Sequence, residues 1–307
     1  MTAPPLLLTL SLLTAPDAEA RALTYLAREV PRWSVENKCY SCHHNGDAAR
    51  ALYDAVRRGR KIEAKALADT TRWLARPDDW DDNGGDGPFN DRRRARLQFA
   101  ASLASAVDAK QIKDREPLRK AADEVVKQQE TDGSWLKDDN LGSPATHGTA
   151  LATALARRTL FVAEDSKRYR AALDRADAWL RKVEVKTVLD AAAVLLALEK
   201  ADDRAAVAQR RRCLELIRKG ESRDGGWGPY VNSASEAFDT AVVLLALAAQ
   251  TPTDETKAML KRGRAWLIAE QGDDGSWRET TRPSGAESYP QRLSTTGWAT
   301  LALLATR

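Results

Sequence analysis

The chain has 307 residues, of which 43% are hydrophobic and 30% charged, with a formal net charge of +4. This composition suits a soluble globular protein able to bury one full core, and no Pro/Gly/Ser linker divides it. The basic runs Arg57-Arg58-Gly59-Arg60-Lys61, Arg92-Arg93-Arg94 and Arg210-Arg211-Arg212 are interleaved with or followed by acids, so they read as solvated helix faces and no nucleic-acid partner is expected.

The chain begins with an apolar run, Pro5 to Ala15, too short to span a bilayer. Ala18-Glu19-Ala20 offers a small-residue cleavage site. Residues 1–20 are therefore a candidate signal peptide, 21–307 a single domain, and a periplasmic or secreted location is expected. Two features favour a cytoplasmic alternative: the run has no preceding Lys or Arg, and Asp17 is placed to cap a helix through Leu23, Tyr25 and Leu26. No later segment reads as transmembrane.

Paired helices follow. The first pair is Ala18 to Val30 with Asp47 to Arg58. The second is Lys61 to Ala75 with Arg94 to Ala106, and the third Leu118 to Gln128 with Thr149 to Leu160. The fourth is Tyr169 to Lys182 with Leu189 to Glu199, and the fifth Ala205 to Arg218 with Thr240 to Ala249. The last is Thr256 to Glu270 with Thr295 to Leu304. The first member of a pair is amphipathic: Ala176, Trp179, Leu180 and Val183 share one face. The second is apolar all round, as in Ala191-Ala-Ala-Val-Leu-Leu-Ala-Leu198, and must be covered on every side. Alternation of the two predicts an all-α fold, an outer helical ring around an inner one, closed by six hairpins.

Three turns between pair members share the form Gln/Glu-x-x-x-Gly-x-Trp: Gln129 to Trp135, Glu221 to Trp227 and Gln271 to Trp277. The fourth pair lacks the motif. A structural role is expected, with the Gly allowing a tight turn, the Trp packed beneath, and the Gln or Glu binding free N–H groups at the next helix start. The motif resembles the QW repeat of the squalene cyclase and protein prenyltransferase superfamily, over about Leu23 to Leu304. The resemblance implies an α/α toroid and an isoprenoid-like or other apolar small molecule in a central cavity.

In such a ring the N-terminal ends of the inner helices converge on one mouth. Near them lie Cys39 to His44, Asp91, His147, Asp190, Glu236, Asp239, Thr295, Thr296 and Trp298. All three histidines and two of the three cysteines gather there. Cys39-x-x-Cys42-His43 is the attachment pattern of haem c, two thiols for the vinyl groups and the His as proximal ligand. His147 is then the distal candidate. Zinc is the alternative, bound by Cys39, Cys42 and one of His43, His44 or His147. The prenyltransferases hold zinc at this end through a different motif. A plain disulfide or an inert thiol pair is the third reading. Cys213, on an outer helix beside Leu214 and Leu216, reads as a small core residue.

The loop Asp78 to Gly87 is acidic. Asp79, Asp81 and Asn83 match the first half of a calcium loop, although Asn90 stands where the bidentate Glu belongs. Asp79-Trp80-Asp81-Asp82 also matches the Asp-x-Asp-Asp acid motif of class II terpene cyclases, which makes Asp79, Asp81 and Asp82 candidate catalytic residues. A solvated turn is the plainest reading. Of the aromatics, Phe99, Phe161, Phe238 and Trp298 are expected to face the inner ring. The functions to be weighed are a redox or ligand-binding protein with a haem or metal centre at the mouth, a cyclase or prenyltransferase-type enzyme, and a scaffold that binds another protein.

Overall fold

The structure, a computed structural model, describes residues 17–82, 92–136, 148–163, 167–280 and 288–307, with Cys42, His43 and Asp82 described by their backbone alone. The outer helices are α1 (Ala18–Asn37), α3 (Ala68–Leu74), α5 (Glu116–Lys127), α7 (Arg170–Leu180), α9 (Arg204–Gly220) and α11 (Asp254–Ala269). The inner ones are α2 (Ala49–Arg57), α4 (Arg92–Asp108), α6 (Gly148–Val162), α8 (Val188–Ala197), α10 (Ala237–Ala248) and α12 (Tyr289–Ala305). Helix α2 is entered directly from a π-helical stretch, Cys42–Ala48. Each inner helix packs on the next from α4 to α12, and α12 and α4 both pack on the π-helical stretch and α2, so the inner ring is closed. The expected α/α toroid is the observed fold. Among the described residues no helix is long and apolar enough to cross a membrane.

Local sequence sets the helix starts. Asp17, Thr187, Asp203 and Thr253 each accept a backbone N–H in the first turn of their helix, satisfying groups that would otherwise be orphaned. Asp17 caps α1 through the Ala20 N–H at 2.7 Å. Ala18-Glu19-Ala20 is thus the first turn of the first outer helix.

The three motif turns are nearly superimposable in their bonding. The indole N–H donates to the carbonyl ten residues back on the preceding outer helix: Trp135 to Val125 (2.7 Å), Trp227 to Ile217 (2.8 Å), Trp277 to Leu267 (2.7 Å). The Trp backbone N–H donates to a threonine hydroxyl of the inner helix, Thr153, Thr240 or Thr296. All three indoles are fully buried. The glycine has φ of +98°, +91° or +90°, a conformation open to Gly at little cost. At Gly275 a Cβ would also lie 2.5 Å from the Arg21 carbonyl oxygen.

The role of the Gln needs correcting. Gln129 does not accept from free N–H groups; its amide donates to the Gly133 and Ala172 carbonyls at 3.0 and 2.9 Å, while its oxygen accepts from Arg175. Gln271 repeats this on the other side of the chain, donating to Gly275 and Ala18 and accepting from Arg21. The last motif therefore clasps the first helix and closes the outer ring. Glu221 has no N–H to donate and instead takes Arg262 in a two-pronged ion pair, 2.6 and 2.8 Å. Where the fourth pair lacks the motif, Gln209 of α9 reaches back to the Val183 carbonyl at 2.7 Å. In the second pair Trp80 is buried and donates to the Trp73 carbonyl.

Candidate functional site

The cysteine mouth is built where α1 ends. Lys38 turns the chain through φ 51°, and Cys39 follows with a free, half-buried thiol. The π-helical stretch then starts, held by Asn45, which accepts from the Ser41 N–H (3.0 Å) and donates to Thr70 (2.6 Å). The side chains of Cys42 and His43, and all of His147 and Asp91, lie outside the described residues. His44 is fully buried and stacked on Trp33, centroids 4.2 Å apart, with Tyr289 at 5.8 Å. Its ring packs between α1 and α12. Among the described residues no three His, Cys, Asp or Glu side chains converge on a metal-sized space. Cys213 is buried in the core, and burial pushes its thiol up to about 12.

The acidic turn carries ion pairs on its surface. Asp78, Asp79 and Asp81 pair with Lys120, Arg76 and Arg96 respectively. The hydrogen bond from Arg96 holds the Asp81 carboxyl below the usual range, the opposite of what a proton donor requires. The side chain of Asp82 and all of Asn83 lie outside the described residues. Trp80 anchors this turn as the motif tryptophans anchor theirs.

Of the four aromatics expected in the ring, Phe99 packs edge-on against Trp73 of α3, and Phe161 is 64% exposed. Phe238 and Trp298 do meet, edge to face at 5.7 Å. The mouth residues of the later helices divide in the same way. Thr296 is committed to Trp277, Asp190 is pushed up by burial, and Asp239 and Thr295 are fully buried.

The strongest chemical feature is one the sequence reading passed over. Asp47 and Arg50 occupy one face of the helix that begins at Cys42, and both are buried, 1% and 7% exposed. Ser294 of α12 donates to the Asp47 carboxylate at 2.6 Å, while Gln98 of α4 and Arg50 stand at 3.4 Å. The Arg50 guanidinium lies 4.5 Å over the Trp298 ring. These groups come from three neighbouring inner helices and face one another inside the ring. Gly297 makes this possible, since a Cβ there would lie 2.8 Å from the Ala48 Cα. Burial raises the Asp47 carboxyl to about 6, against the opposing pull of Arg50 and of hydrogen bonds from Ser294 and Trp298. Burial likewise lowers Arg50 to about 10. The available signal was a charged pair three residues apart, flanked by Ala48, Ala49, Ala51 and Leu52.

Comparison with known proteins bears on the fold. Residues 183–307 match the model of the squalene-hopene cyclase C-terminal domain. The type II terpene cyclase MstE from Scytonema superposes along its length. A variant in complex with its substrate geranylgeranyl dihydroxybenzoate gives a TM-score of 0.61 at 13% identity, covering 94% of this chain and 97% of that one. The fold is that of the terpene cyclase toroids. The apo enzyme gives 0.60 at 14% identity with the same coverage. A protein from Actinoplanes gives 0.58 at 16%, covering 94% of this chain and 98% of the other. No curated protein matches the chain. In this toroid the buried carboxyl lies within the inner ring, whereas the clefts between outer helices, such as one of about 450 Å³ beside Gln209, lie outside it.

Proposed function

We propose that this toroid takes an isoprenoid-like molecule into its inner ring and acts on it by acid catalysis, with Asp47 as the proton donor. The observation that carries this reading is the Asp47 carboxyl, buried inside the ring with its pKa raised to about 6, so that part of the population holds a proton near neutral pH. The Ser294 hydroxyl fixes the carboxyl, and Trp298, packed edge to face with Phe238, also hydrogen-bonds to it. The likeness to MstE, whose solved complex holds a geranylgeranyl compound, supports the substrate class. Incubation of the purified chain with geranylgeranyl-bearing substrates and squalene, followed by mass spectrometry of the extract, tests the proposal. Cyclised product is expected from the parent. A loss of at least about 100-fold is expected in Asp47→Asn, in keeping with removal of a general acid, with circular dichroism confirming its fold. Equal turnover by the two proteins sinks the assignment of Asp47, and absence of product sinks the enzyme reading.

A second reading rests on the free thiol of Cys39 at the cysteine mouth. With Cys42 and His43 it forms the attachment pattern of haem c, and a haem there would add a redox centre in an exported protein. Intact mass after expression in a host that exports and matures c-type cytochromes is expected to show one haem added, lost in Cys39→Ser. An unmodified mass, or a zinc adduct in its place, overturns it.

A further inference from the structure

The three motif units share a register that identifies what lines the inner face of the ring. Thr153, Thr240 and Thr296 each accept the backbone N–H of a motif tryptophan, so they point outward. The residue five places on lies about 140° around the helix and turns inward. In two units that residue is leucine, Leu245 and Leu301; in the third it is Arg158. Leu245 is half-buried although α10 is flanked by α8, α11 and α12, so its exposed part opens into the ring. Leu196 of α8, flanked by α6, α9 and α10, is half-buried in the same manner. The inner face is therefore apolar along α8, α10 and α12 towards their C-terminal ends, and carries a guanidinium on α6.

The setting of Arg158 is that of a recess. Its side chain remains 41% exposed, yet burial still lowers its pKa. Asp108 accepts from one of its nitrogens at 2.6 Å and Ser105 lies at 3.3 Å from another, leaving further N–H groups of the five for a ligand. Arg158 and Arg50 are within electrostatic reach of each other, and the Arg158 charge adds to the lowering of Arg50. On the same inner stripe of α4 as Gln98, the Ser102 hydroxyl is fully buried with no hydrogen-bond partner.

We propose that the mouth at the C-terminal ends of the inner helices admits an anionic amphiphile, a single carboxylate or phosphate on a hydrocarbon chain, whose head is held by Arg158 and whose chain lies along Leu196, Leu245 and Leu301. This rests on the reading of the inner ring as the site of an isoprenoid-like molecule and adds the charged head and the residue that selects it. The test is calorimetric binding of farnesoate and of farnesol to the full chain, which reads affinity without turnover. The parent is expected to prefer the acid by about tenfold or more, the effect of one charge-assisted hydrogen bond. Arg158→Leu installs the residue that two other units carry and is expected to abolish that preference while keeping or raising affinity for the alcohol. Arg158→Lys is expected to retain part of it. Equal affinity of the parent for acid and alcohol, an undiminished preference in Arg158→Leu, or no binding of either overturns the proposal. Asp47→Asn is expected to keep the preference for the acid even where turnover is lost, which separates this failure from that of the acid assignment.

Discussion

Trp277→Ala is expected to lower the unfolding free energy by about 3–5 kcal/mol, the range for truncating a fully buried tryptophan. The side chain is 0% exposed, its indole N–H is bonded to Leu267, and its backbone N–H is bonded to Thr296. The change thus leaves a cavity and an orphaned carbonyl between α11 and α12. Because the same turn carries Gln271, which holds Ala18 and Arg21, the damage should reach α1 at the far end of the sequence. Chemical denaturation measures the first effect, and hydrogen exchange of the α1 amides the second. A loss under about 1 kcal/mol would mean that the indole is not the buried anchor described. Unchanged protection of α1 would mean that the clasp contributes little.

The second expectation concerns pH. Asp47 has its carboxyl raised from 3.8 to about 6. The folded state therefore holds this proton more tightly than the unfolded chain does. The stability it lends is complete below about pH 3.8 and is lost as pH rises through about 6. Two pKa units correspond to about 3 kcal/mol. Denaturant midpoints taken between pH 4 and pH 7.5 should contain this downward component. The Asp47→Asn variant, whatever stability it loses by leaving Arg50 without its carboxylate, should lack that component. An identical profile in parent and variant would place the titrating group elsewhere. The opposite sign is expected of Asp81, whose carboxyl Arg96 holds low. Its contribution is lost as pH falls and is small, since both partners are about one-third exposed.

The ring was legible because it rests on periodicity and on a repeated turn. Ala191 to Leu198 could only be an enclosed helix, and Gln-x-x-x-Gly-x-Trp could only be read as a recurrent joint once three copies were aligned. The direction of the Gln hydrogen bonds was not legible, since an amide can donate or accept and the partners Ala172 and Ala18 are contributed by the next outer helix. Asp47 was missed for a related reason. Its neighbours Ser294 and Gln98 are 247 and 51 residues away, and nothing local distinguishes an enclosed carboxyl from a helix-start acid. The Asp79-Trp80-Asp81-Asp82 segment shows the same limit from the other side. A short motif fixes spacing, whereas burial and the arrival of Arg96 decide what its carboxyls can do.

The clasp between Gln271 and the first helix has a consequence for how such a chain can change in length. An open stack of hairpins can gain or lose a unit at either end, provided each end is covered by a specialised cap. Here the two ends cover one another, and no unit is terminal. Inserting a seventh hairpin would spread every joint and part Gln271 from Ala18, so growth by single duplication is barred while the circle stays shut. By the same token a break between any two hairpins is equivalent in the ring, and a rearranged gene opened between α8 and α9, with its old ends linked, should encode the same ring.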